Sequence, residues 1–175
     1  MIKMFTTQLT GLFKRISEKE EFSFEDGARL LAQAPAGDGA IYIYGTKEMK
    51  AVELEALEGA EPFIHAKRLT DADLTEVTDA DRVLLFSRTS EDEAALKLAR
   101  LLHEKNIAFV AVSTSIEGSE DSLAEIADVH IDLRLTKGLL PDDLGNRFGL
   151  PTSMAALFVY YCLKFTIEEI IAEFE

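Results

Sequence analysis

The hydrophobic pattern of the chain begins with a helical period and then changes. Met4, Phe5, Leu9, Leu12, Phe13 and Ile16 recur three or four residues apart, which predicts an amphipathic helix over residues 4–19. Ser23 and Asp26 form a variant of the capping box and predict a second helix through Leu30, Leu31 and Ala34, ended near Pro35. A Gly-rich turn at residues 36–39 follows, and Ala40, Ile41, Tyr42, Ile43 and Tyr44 read as a first strand closed by Gly45. From there strand-like and helix-like patterns alternate. Helices are predicted over residues 46–57, 91–105 and 122–127, a short helix or turn over 71–78, and a long closing helix over 154–174. Strands are predicted over residues 62–66, 82–86, 107–112 and 129–133, the third of the five being apolar throughout and so buried on both faces.

That alternation predicts an α/β fold: a three-layer α/β/α sandwich around a five-stranded parallel sheet with right-handed crossovers. The chain reads as one unit over residues 1–175, with residues 1–35 a helical appendage and 36–175 the α/β core. In such sheets ligands bind beyond the carboxyl ends of the strands, where neighbouring connections diverge. With strand order 2-1-3-4-5, the crevice falls between Gly45-Thr46-Lys47 and Ser87-Arg88-Thr89-Ser90.

Charge narrows the partners. With 32 acidic against 18 basic residues, a formal charge of −14 and no dense basic patch, the chain lacks what a nucleic acid or an anionic membrane would need. The longest nearly uninterrupted apolar run, residues 154–165, is too short to span a bilayer, and the amino terminus has no continuous apolar core of a leader. The lone Cys162 sits in that run and reads as a small core residue, in keeping with a reducing cytoplasm.

The strand that ends at Phe86 runs into Ser87, Arg88, Thr89 and Ser90, and a helical pattern opens just beyond. Hydroxyls and backbone N–H groups converging on a helix amino terminus form an anion cradle, with Arg88 a further charge partner. The same residues also suit an ordinary helix N-cap, and Glu91 and Asp92 place two negative charges at that mouth. Gly45 would allow a ligand close to the backbone and Lys47 would supply a cation, although neither a dinucleotide nor an NTP fingerprint is present. His65, His103, His130 and Cys162 share no metal-ligand spacing, and no metal or cofactor is expected. For acid/base chemistry Glu48 and His65 are the only crevice-side candidates, so catalytic residues stay unassigned. The closing helix is apolar nearly all round, which suits burial in the core together with a dimer interface that the first helix would complete.

Several segments taken in order resemble the sugar isomerase (SIS) domain family, above all its phosphoheptose-isomerase-like branch and the small bacterial SIS-like proteins. Residues 41–45 resemble the first SIS strand and its glycine, 83–90 the strand and Ser-x-Ser-Gly loop, and 109–114 the next strand, which ends in Thr. Residues 127–131 are similar to the alanine-aspartate segment before a strand, and Gly149, Leu150, Pro151, Thr152 and Ser153 to the Pro-Thr-Ser entry of the last helix. The resemblance covers roughly residues 25–175. It implies a phosphosugar site at the strand ends, formed here by Gly45, Thr46, Lys47, Ser87, Arg88, Thr89 and Ser90, and a homodimer. Three departures stand out: Ser90 replaces the loop glycine, Asp92 replaces a later hydroxyl, and Thr46-Lys47-Glu48-Met49 replaces a Gly/Ser-rich turn. The expectation is therefore a phosphosugar-binding protein with an eroded site, possessing aldose-ketose isomerase activity only if a base is found. The alternative is a non-catalytic SIS fold kept for dimerisation or regulation.

Overall fold

The computed structural model describes residues 1–70 and 73–173. Five strands, β1 (Ile41–Gly45), β2 (Ala66–Arg68), β3 (Arg82–Thr89), β4 (Phe109–Thr114) and β5 (Val129–Asp132), form one parallel sheet in the order β2-β1-β3-β4-β5. The helices are α1 (Ile2–Lys19), α2 (Glu21–Ala36), α3 (Lys50–Glu58), α4 (Glu93–Glu104), α5 (Leu123–Ile126) and α6 (Thr152–Ala172).

Because side chains alternate across a strand, the sheet makes two cores. On one face Ile41, Ile43, Leu84, Phe86, Val110 and Val112 pack under α2, α3 and α6. On the other, Tyr42, Val83, Leu85, Phe109 and Ala111 pack under α4 and Leu123 of α5. The three-layer sandwich and the 2-1-3-4-5 order agree with the sequence reading.

Five local expectations are corrected. The first helix hairpin is not set apart from the sheet: Ala28 and Leu31 of α2 are fully buried in the same core as β3 and β4, and α1 joins it through Leu12 and Ile16. Phe13 of α1 also stacks on Phe158 of α6 with ring centroids 4.6 Å apart. The second helix starts at Glu21 without a side-chain cap, so Ser23 and Asp26 lie inside its first turns. Pro35 stays inside its last turn.

The second strand moves downstream, from 62–66 to Ala66–Arg68. Phe63 is drawn into the core against Tyr160, and His65 takes a left-handed backbone with φ of 68°, so pairing with β1 starts only at Ala66. β3 runs three residues past Phe86 through the hydroxyls, because a bulge restores pairing at Thr89 opposite Thr114. Finally, an antiparallel ribbon unforeseen in the sequence, β6 (Leu140–Pro141) with β7 (Arg147–Phe148), leads into α6. Residues 71–72 of the acidic stretch and residue 174 of the closing helix lie outside the described residues; Asp73–Thr75 form a single 3-10 turn.

Candidate functional site

A cleft of about 790 Å³ opens at the carboxyl ends of β1, β2 and β3, where the chain's crossovers diverge to opposite sides of the sheet. Gly45, Thr46, Lys47 and Thr89 line it, as the sequence reading required. Lys50, Glu53, Arg68, Leu69 and the first turn of α4 complete it. Arg68 escaped the sequence reading because the strand that delivers it was placed too early. Lys50 had a legible signal, since it follows Thr46 by four residues at the entry of a helix.

Ser87, Arg88 and Ser90 do not reach this cleft. Ser87 is fully buried and its hydroxyl donates to the Thr89 carbonyl at 2.8 Å. The Ser90 hydroxyl accepts the Ile116 N–H at 3.1 Å and is also buried. Arg88, one residue out of phase with Ser87 and Thr89, turns to the opposite face of the sheet and clasps Glu48 with two hydrogen bonds of 2.7 and 2.9 Å. The Thr152 hydroxyl at the start of α6 donates to the same Glu48 carboxylate at 2.7 Å. The Arg88 guanidinium holds the Glu48 carboxyl down at about 2, against the opposing effect of burial. Glu48 is thus a structural clasp between β1, β3 and α6 rather than a base facing the cleft. His65 lies at the amino end of β2, exposed and opposite to the cleft.

The cleft's buried carboxylates already hold cations. Asp92 caps α4, its Oδ1 accepting the Ala95 N–H at 3.1 Å and its Oδ2 the Lys47 ammonium at 3.1 Å. Glu53 accepts the Gly45 N–H at 2.7 Å and pairs with Arg68 at 3.3 Å. Gly45 itself is needed for an internal reason: a Cβ there would sit 2.4 Å from the Met49 carbonyl oxygen, so its close approach is to its own chain and not to a ligand. One polar group stands unused. The Thr46 hydroxyl is buried and has no hydrogen-bond partner. Among the described residues no cluster fit to hold a metal ion occurs.

These features, a 2-1-3-4-5 parallel sheet under α2, α3 and α6 with its cleft at the β1–β3 switch point, define a SIS-like α/β sandwich. Solved structures agree: the c3406 protein of E. coli CFT073, in complex with a sugar phosphate, superposes with a TM-score of 0.67 over 97% of this chain and 89% of that one, at 15% identity. A phosphoheptose isomerase from Francisella tularensis matches at 0.67 over 94% of both chains with 12% identity. The Vibrio vulnificus NanR protein complexed with ManNAc-6P matches at 0.68 over 96% of this chain and 62% of that one, with 16% identity. At such identities the likeness is one of fold. By sequence, the chain belongs to the family described as Domain of unknown function (DUF2529), which matches residues 1–171. It is also 45% identical to the Uncharacterized protein YwjG of Bacillus subtilis (strain 168), over 99% of both chains.

Proposed function

We propose that the switch-point cleft binds a phosphorylated sugar and that the chain is a phosphosugar-binding protein of the cytoplasm. The observation that carries this is the convergence of Lys47, Lys50 and Arg68 on one cleft in a chain of formal charge −14. Two of its four carboxylates, Glu53 and Asp92, already engage cations; the other two, Glu91 and Glu93, are exposed at the rim. Three proteins of the same fold carry or by name act on sugar phosphates: the c3406 complex, the NanR complex with ManNAc-6P and the phosphoheptose isomerase. Binding, rather than isomerisation, is the reading we favour. An aldose-ketose shift needs a base free to take a proton, and no histidine lines the cleft among the described residues.

The test is a thermal-shift titration with ribose 5-phosphate and sedoheptulose 7-phosphate. At a hundred times its dissociation constant a ligand adds about 2.7 kcal/mol, or ~5–10 °C in Tm for a chain of this size. Absence of any shift at 10 mM would reject the reading.

A second reading, self-association in a regulatory role, is supported by the exposed apolar side chains of the leading and closing helices. Ile2, Phe22 and Phe165 are 83%, 79% and 52% exposed, and Met154 lies on the same closing helix. Light scattering behind size exclusion is expected to give twice the chain mass, and Phe165→Glu to return it to one chain. A monomer at 50 µM would count against this second reading.

A further inference from the structure

We propose that the anion seat of the cleft lies in the turn between β1 and α3, at Thr46, Lys47 and Lys50, and that the hydroxyl turn between β3 and α4 has ceased to serve as one. This rests on the phosphosugar reading and specifies where in the cleft the phosphate sits.

The β3–α4 turn has no room for an anion. Its serine hydroxyls are buried in internal hydrogen bonds, Ser87 to the Thr89 carbonyl and Ser90 from the Ile116 N–H. The amino terminus of α4, where a phosphate would seek helix-dipole stabilisation, is filled by the chain's own carboxylate. Asp92 is 5% exposed at its side chain and bonded to both Ala95 and Lys47. Asp92 is in effect a built-in anion. A phosphate arriving there would meet a buried negative charge at contact distance.

The β1–α3 turn has the opposite character. Thr46 is 5% exposed, lines the cleft, and presents a hydroxyl that no group of the protein satisfies. A buried hydroxyl without a partner is costly, and a ligand oxygen would remove that cost. Lys50 lines the same cleft four residues on, and among the described residues it has no carboxylate partner, unlike Lys47 and Arg68. Lys47 adopts a left-handed backbone with φ of 49°, a strained conformation for a lysine. Its side chain is 63% exposed, so the ammonium is free to swing from Asp92 towards an anion beside Thr46. The 3-10 turn Lys47–Met49 and α3 begin here too, so the positive end of a helical segment faces the same point. A phosphomonoester is the matching ligand: one oxygen accepts from Thr46, and the remaining charge is shared by the two ammonium groups.

Isothermal titration of the full chain with ribose 5-phosphate, sedoheptulose 7-phosphate and inorganic phosphate separates the two turns. Thr46→Val and Lys50→Met are expected to weaken sugar-phosphate binding at least 10-fold, with Thr46→Ser retaining it. Thr46→Val loses no internal hydrogen bond, so its unliganded Tm should stay within 2 °C of wild type or rise, which separates lost binding from lost folding. Thr89→Val should leave affinity within 3-fold. Asp92→Asn, which keeps an N-cap acceptor while removing the built-in charge, should tighten inorganic phosphate at least 3-fold. If Thr89→Val abolishes binding while Thr46→Val and Lys50→Met do not, the seat is in the β3–α4 turn; the present proposal falls while the phosphosugar reading stands. If wild type binds none of the three probes at 10 mM, both fall.

Discussion

Gly45→Ala is expected to lower the melting temperature by about 6–12 °C, an effect of ~3 kcal/mol at the upper end of overpacking costs. The added Cβ would stand 2.4 Å from the Met49 carbonyl oxygen, 2.5 Å from its carbon and 2.9 Å from the Lys50 nitrogen. All three are backbone atoms, so no side chain can swing aside. Relief requires the 3-10 turn to move away from the end of β1, and that turn carries Lys47 into the cleft. The same shift would lengthen the Gly45 N–H to Glu53 contact, so a loss of ligand affinity should accompany the loss of stability. Gly11→Ala is the control. Gly11 lies in α1 with nothing within 4 Å of the added carbon, and the helix should gain ~0.5–1 kcal/mol. Calorimetry on the two variants checks the contrast; a Gly45→Ala melting temperature within 2 °C of wild type would refute the clash.

Acid is the second lever, and three buried or bonded groups act in the same direction. His130 is held below its ordinary 6.5 by burial, against the pull of Asp132, and its ring nitrogen is hydrogen-bonded to Ser113 at 2.8 Å. The unfolded chain accepts a proton there below pH 6.5 that the folded chain resists, so stability falls as pH drops under that value. Glu48 sits at about 2 against 4.5, chiefly through its hydrogen bonds with Arg88. Its contribution is complete above pH 4.5 and is lost as pH falls through 2. Asp81 lies below 3.8: burial opposes its charge, yet the N–H groups of Thr78 and Ala40 and the Thr78 hydroxyl outweigh that opposition. Its share is present above pH 3.8 and disappears below it.

For Glu48 the fall from 4.5 to about 2 corresponds to ~3 kcal/mol. With Arg88 half exposed, solvent screening reduces this to ~1–2 kcal/mol. Urea denaturation at pH 7, 5 and 3 should therefore show a progressive loss. Glu48→Gln is expected to be ~1–2 kcal/mol less stable than wild type at pH 7, with the gap narrowing towards pH 2. Curves for the two proteins that run parallel from pH 7 to pH 3 would remove Glu48 from this account.

Much of the fold could be read from hydrophobic period alone. Residues 82–86 and 107–112 are apolar without alternation, and only a strand covered on both faces tolerates that; β3 and β4 are indeed the centre of the sheet. Helix α4 was equally plain, since Leu96, Leu98, Ala99 and Leu102 lie on one buried stripe. Strand β2 was misplaced because a three-residue edge strand, with Lys67 and Arg68 exposed, has no hydrophobic signature, whereas the β-like residues Phe63 and Ile64 just before it serve as an anchor and a solvated turn.

The site divides in the same way. Its location at the ends of β1 and β3 followed from the alternation of strands and helices, and Gly45, Thr46, Lys47 and Thr89 could be named from it. The phase of the hydroxyls could not. Ser87 and Ser90 look like ligand donors in sequence, but a bulge of β3 and the carbonyl of Thr89 decide that Ser87 points inward, and Ile116 claims Ser90. Local pattern therefore determined the class of the fold, the strand order and the end of the sheet at which the cleft opens, because these depend on periodicity and on the handedness of connections. Which polar groups stay available to a ligand was decided by tertiary structure alone. Asp92 takes the helix terminus and Lys47, Glu53 takes Arg68, Glu48 takes Arg88, and Thr46 is left unpaired, all through partners that lie between 8 and 45 residues away along the chain or, for Thr46, through the lack of one.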